Sequence, residues 1–148
     1  MNAMSGSKLL FERVYKSFLR QGLMQNWGTK LVKVESGLVE FILPHSDKVA
    51  NQHGGFHGGA IGGLADIAGG FASLTVAPDD MEVTTVEYKI NFLGAFNNGH
   101  LKAIGKVVKP GKRVIVATAE IYHVDVDTGK ESICAIMQQT IMPVKKTY

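Results

Sequence analysis

The run Asn51-Gln52-His53-Gly54-Gly55-Phe56-His57-Gly58-Gly59 leads into an apolar stretch of helical length, and its last two residues carry no side chains. Unpaired N–H groups at a helix start of that kind can approach a carbonyl oxygen closely, and the helix dipole strengthens the field there. Such a start is an oxyanion hole that needs no dedicated side chain. Asp66 follows, the single formally charged residue between positions 49 and 77. A lone carboxylate in so apolar a segment is costly to bury unless it is paired, hydrogen-bonded or neutral. On a helix Asp66 lies about 12 Å beyond Gly58, at 1.5 Å per residue. That is too far to serve its own helix entry. Two such helices, antiparallel about a two-fold axis, would bring each Asp66 near the other's Gly58, so a dimer with two interface sites is expected.

The glycines around this carboxylate are themselves a signal. Eight of the chain's 17 lie between Gly54 and Gly70. Gly59, Gly62, Gly63, Asp66, Gly69, Gly70 and Ser73 share one helical face, while Ile61, Leu64, Ala68 and Phe71 form a bulkier stripe. Each interior glycine costs about 0.5–1 kcal/mol relative to alanine, which makes sense where a second backbone or a ligand must come close. Plainer readings compete: a buried, structural Asp66 under tight helix-on-sheet packing, or a membrane helix with Gly-x-x-x-Gly spacing. A mid-span Asp and a strand-rich remainder oppose the membrane helix. His53 and His57 have the i, i+4 spacing of metal ligands, but Gly54 and Gly55 between them oppose a helix there and no third ligand is evident. No metal is expected.

The elements that must position these residues can be read from period and turn chemistry. Residues 8–23 repeat Leu10, Val14 and Phe18 at helical spacing, an amphipathic N-terminal helix. With Lys8, Lys16 and Arg20 the same stretch also resembles a transit peptide. Residues 29–34 and 38–43 read as strands around a Glu35-Ser36-Gly37 turn, and residues 57–77 as one long helix. Val86, Tyr88, Ile90 and Phe92 alternate with Thr85, Glu87, Lys89 and Asn91, a half-buried strand. Turns at Asn97-Asn98-Gly99, Pro110-Gly111 and Asp127-Thr128-Gly129 then separate strands over residues 101–108, 114–124 and 132–142. Four consecutive strands joined this way predict an antiparallel meander. A curved antiparallel sheet of about six strands wrapped around the long helix is the expected α+β fold.

A chain of 148 residues and 16.0 kDa fits one domain over residues 1–148, with residues 1–7 a flexible leader. A hydrophobic share of 45% against 20% charged excludes a disordered or low-complexity protein. Net charge +3 is too weak to imply nucleic acid but is compatible with a phosphate-bearing small ligand. A single cysteine, Cys134, excludes an internal disulfide and any multi-cysteine zinc site. Residues 1–7 also lack the features of a secretory signal. A cytoplasmic location is expected.

Asn51, then His57-Gly58-Gly59, then Asp66 resemble the hotdog-fold acyl-CoA thioesterases of the phenylacetate-degradation (PaaI-like) type, and the order of elements matches over nearly the whole chain. The resemblance implies hydrolysis of an acyl-CoA thioester at a dimer interface, often in tetramers built from two dimers. It implies that the Gly58 amide, helped by Gly59, polarises the thioester carbonyl, and that Asp66 of the other subunit is general base or nucleophile. Asn51 would orient the water or the thioester, Thr85 would position the water, and His57 would shape and hydrogen-bond the pocket. Each has a plainer alternative: a loop cap for Asn51, an ordinary strand residue for Thr85, a helix cap for His57. Coenzyme A arrives with the substrate, and no separate cofactor is implied.

The phosphates of CoA favour a basic rim, for which Lys109, Gly111, Lys112 and Arg113 are the candidates, a solvated hairpin tip being the alternative. Phe56, Phe92 and Phe96 are candidates for an acyl pocket, and Cys134 reads as buried and inert. Two further functions stay open. A hotdog hydratase is opposed by the lack of an Asp with a His five residues on, and of a His-Phe-Pro motif. A non-catalytic acyl-CoA binder is opposed by Asp66, which a pure binder does not need.

Overall fold

The computed structural model describes residues 5–148. Two helices, α1 (Gly6–Leu19) and α2 (Gly22–Trp27), lead into strands β1 (Lys30–Glu35) and β2 (Leu38–Pro44). Helix α3 (Gly58–Leu74) follows, then β3 (Met81–Phe92), β4 (His100–Lys109), β5 (Ile115–Val124) and β6 (Glu131–Lys145). The six strands form one antiparallel sheet in the order β1-β2-β4-β5-β6-β3, packed around α3 from five of its strands. This is the hotdog arrangement.

Residues 8–23 do not make one continuous helix. Arg20 and Gln21 break it, Gln21 with extended backbone, and α2 ends at Gly28 in the left-handed region with φ 73°. The flexible leader expected over residues 1–7 lies partly outside the described residues, and Gly6 and Ser7 already belong to α1. Val14 and Phe18, one turn apart, are the buried side of α1. The Phe18 ring meets Phe41 of β2 and Phe71 of α3 at 5.3 and 6.3 Å between centroids. On the same helix, Arg13 donates to the carbonyls of Ala77, Pro78 and Met81, clamping α1 to the connection that follows α3.

The four-strand meander is corrected. Strands β4, β5 and β6 are consecutive neighbours, but β3 pairs with β6 at the far edge and β4 pairs with β2. Residues 93–99 therefore do not turn a hairpin; they cross the end of the sheet. Leu93 N–H donates to Cys134 on β6, the Phe96 ring stacks on His123 of β5 at 4.1 Å, and His45 beside β2 donates to Gly99. The crossing is held at every strand it passes.

Strand β3 carries a second departure. Its register against β6 runs Thr85↔Ile141 and then Glu87↔Thr140, so Val86 is the extra residue of a β-bulge. The alternation of the sequence puts Thr85 on the face opposite Tyr88, Ile90 and Phe92. The bulge reverses the phase, and all four turn toward α3: Thr85 bonds Asp66, Tyr88 reaches Gly62, Ile90 joins the core and Phe92 lies beside Gly58.

Helix and sheet come closest at β4, where a Cβ on Gly105 would lie 2.0 Å from the Ala68 carbonyl oxygen of α3. Two backbones meet there, and neither is free to yield. Gly105→Ala is expected to cost about 3 kcal/mol or more, read as a lowered midpoint in urea denaturation at unchanged slope.

Candidate active site

The loop before α3 is built on Asn51. Its Oδ1 accepts the N–H groups of His53 (2.9 Å) and Gly55 (3.2 Å), and its own N–H donates to Gly55 O at 2.8 Å. Gly54 takes φ +81°, which the turn requires. Phe56 and His57 then donate their backbone N–H groups to Phe96 and Val49, so the entry to α3 is pinned from both sides. The side-chain oxygen of Asn51 is thus a loop fastener, and its amide nitrogen donates to no acceptor among the described residues.

His57 is the N-cap of α3, with extended backbone (φ −66°, ψ 137°), and its Nδ1 accepts the Gly59 N–H at 2.8 Å. Accepting at Nδ1 leaves the ring proton of the neutral imidazole on Nε2. The Gly59 amide, expected to help polarise a carbonyl, is therefore occupied. The Gly58 N–H, by contrast, has no acceptor among the described residues. Only the Phe92 ring stands near Gly58, 3.5 Å from the place of a Cβ.

Two turns further along, Asp66 is half-buried. Its Oδ1 accepts the Thr85 hydroxyl at 2.7 Å and the Gln139 side-chain amide at 2.8 Å. Among the described residues no donor reaches Oδ2. A cleft of about 310 Å³ opens beside Asp66, walled by Ile67, Gly70 and Phe71 of α3, Thr85 of β3, and Ser17 and Gln21 from the α1–α2 region. The structure thus brings Asp66 and Thr85 together. Gly58 and Asp66 of one chain are not, since α3 is a regular helix between them.

Gln139 is the member of this cluster that the sequence did not disclose. It occupies an inward position of β6, in the alternation Ala135, Met137, Gln139, Ile141, and is 1% exposed. A polar residue in that otherwise apolar row was the available signal. The glycine face of α3 also divides by use. Gly69 makes room for Gln139, Gly63 faces the Trp27 ring, and Gly70, with nothing within 4 Å, borders the cleft.

The remaining candidates are spread over the fold. Lys109, Gly111, Lys112 and Arg113 form the exposed β4–β5 tip. The register Ile115↔Ile141↔Thr85 puts that tip beside the C-terminal half of α3, away from Gly58 of the same chain. Phe56 is buried against His45 and Phe96 is partly buried on His123, so both serve the core, whereas Phe92 is 53% exposed. Cys134, the bulged residue of β6, is buried, and burial pushes its thiol up to about 11. It stays protonated at neutral pH. No three His, Cys, Asp or Glu side chains cluster as metal ligands among the described residues, and no helix there is long and apolar enough to cross a membrane.

A curved antiparallel sheet around one long helix defines a hotdog protein, here with an open amide at the helix start and a hydrogen-bonded carboxylate two turns on. Residues 53–130 match the family described as the Thioesterase superfamily, and the chain belongs to it, a thioester hydrolase. A thioesterase family protein from Silicibacter pomeroyi, of known structure, is 33% identical, with a TM-score of 0.87 over 93% of this chain and 99% of that one. The 1,4-dihydroxy-2-naphthoyl-CoA hydrolase of Listeria monocytogenes is 27% identical over 84% of this chain and 98% of its own. The E. coli PaaI protein from the phenylacetic acid degradation operon shares the fold, with a TM-score of 0.83 at 20% identity over 97% of this chain and 99% of that one.

Proposed function

We propose that this protein is an acyl-CoA thioesterase that works as a homodimer, each site combining Gly58 of one subunit with Asp66 of the other. One observation carries the reading. The free amide and the carboxylate lie on one helix about 12 Å apart, so a single chain holds both halves of a site and completes neither. An antiparallel second α3 completes two. The outer edge of β3 suits such a partner: it is long and has no neighbouring strand among the described residues, and Val86, Tyr88 and Phe92 are 55%, 42% and 53% exposed. The basic β4–β5 tip, beside the C-terminal half of α3, would then lie toward the partner's helix entry, where CoA phosphates would arrive.

In this reading the Gly58 N–H and the helix dipole draw charge onto the thioester oxygen. Asp66 either takes a proton from an attacking water or attacks the acyl carbon itself, giving an anhydride that water then opens. Either way the C–S bond breaks, CoA leaves as the thiol, and the acyl group leaves as the acid. Thr85 holds Asp66, the Asn51 amide would orient water or thioester, and His57 fixes the helix entry. Two dimers forming a tetramer, and a cytoplasmic setting, belong to the same proposal. The related CoA hydrolase of Listeria supports CoA as the thiol.

The test is thiol release from a panel of aryl, short-chain and medium-chain acyl-CoAs, together with mass in solution. Catalytic release from at least one class, by a particle of two or four chains, is expected. Tight binding without thiol release would identify a binder, and, with an enoyl-CoA added to the panel, loss of its enoyl chromophore without thiol would identify a hydratase.

A further inference from the structure

We infer that Gln139 is the positioning residue that holds the Asp66 carboxylate in its working orientation. The inference rests on the role of Asp66 proposed above. A side chain facing α3 from the middle of β6, between Met137 and Ile141, would ordinarily be apolar. Gln139 is instead a polar one, and it is not fully satisfied: its Oε1 is buried with no hydrogen-bond partner. A buried acceptor without a donor is a standing cost to the fold. Packing gives no reason to accept it, because a methionine fills nearly the same volume.

The reason lies at the other end of the amide. Gln139 Nε2 donates to Asp66 Oδ1 at 2.8 Å and lies 3.3 Å from Thr85 Oγ1, which itself donates to Oδ1 at 2.7 Å. A contact at 3.4 Å to the Asp66 backbone carbonyl ties the same amide to the helix. Amide and hydroxyl converge on one carboxylate oxygen, which fixes the side-chain torsion and leaves Oδ2 as the oxygen without a donor. Turning the amide over would set Oε1 against the carboxylate, oxygen to oxygen, so the orphaned Oε1 follows from aiming the donor at Asp66. The helix is cut to admit it: a Cβ on Gly69 would stand 1.7 Å from Oε1. Gly69, Gln139, Thr85 and Asp66 thus form one device drawn from α3, β3 and β6.

Gln139→Met tests this, because it keeps the volume, removes the donor and removes the orphaned acceptor. The melting temperature should hold or rise, KM should stay within about two-fold, and kcat should fall about 10-fold or more. In an Asp66→Asn background the same change should do nothing further, since no carboxylate is left to position. Gln139→Leu is read the same way should the methionine variant not fold. A wild-type kcat in a folded Gln139 variant, or an equal loss in both backgrounds, overturns the positioning role. An Asp66→Asn enzyme with wild-type activity removes the proposed role of Asp66 itself, a different failure from an inactive Asp66→Asn enzyme beside a fully active Gln139→Met.

Discussion

Asp66→Asn is expected to lower kcat for thioester hydrolysis by about 10²-fold or more while leaving the fold and KM nearly unchanged. The geometry makes this a clean substitution. Both donors in the cluster, the Thr85 hydroxyl and the Gln139 amide, use Oδ1, and an asparagine keeps an oxygen there. What changes is the other position, where an NH₂ replaces the oxygen that has no donor. An amide nitrogen is neither a base nor a nucleophile, so general-base and nucleophilic routes predict the same loss. Steady-state kinetics on the best substrate of the panel, with the melting temperature as control, decides it. Activity close to wild type would exclude both routes at once.

The parts of this site differ in how visible they were in the sequence. The helix start and Asp66 were legible because composition isolates them: eight of 17 glycines and one charge stand in a stretch without other landmarks. Helical rise then fixed the gap between Gly58 and Asp66, and the regular helix keeps it. The turns ahead of β5 and β6 were legible from Pro-Gly and Asp-Thr-Gly. The place of β3 was not, because alternation reports that a strand has two faces and says nothing about its neighbour. Asn97-Asn98-Gly99 has the residues of a hairpin turn but ends a crossing of the sheet instead.

The bulge at Val86 concealed more. One extra residue reverses the phase of β3, so Thr85 and Tyr88 face α3 together although strict alternation separates them. Gln139 was hidden by distance along the chain, 73 residues from the carboxylate it holds. The glycines, read as one shaved surface, turn out to have separate duties. Gly105 is a demand of helix-on-sheet packing and would be needed whatever the protein did, and Gly69 makes room for Gln139, whereas Gly70 borders the cleft and the Gly58 N–H has no acceptor among the described residues. Packing accounts for Gly105; function has to account for the rest.

The largest effect expected at the helix start follows from that distinction. Gly58 is the first residue of α3, where proline is well accepted because the N–H it lacks is not needed by the helix. His57 before it already has the extended backbone that a following proline demands. A Cβ at position 58 meets only the Phe92 ring, at an ordinary van der Waals 3.5 Å. Gly58→Pro should therefore fold, yet it removes the one N–H that the proposed site directs at the thioester oxygen. Loss of a single oxyanion donor costs about 10²–10³-fold in kcat, and Gly58→Ala, which keeps the N–H, should stay within a few-fold of wild type. Mixing inactive Gly58→Pro and Asp66→Asn subunits then asks which chains share a site. After free exchange about half the dimers are mixed, and each carries one site with wild-type Gly58 from one chain and wild-type Asp66 from the other, so about a quarter of full activity should return. Sites contained within single chains would return none, because every chain in the mixture carries a lesion.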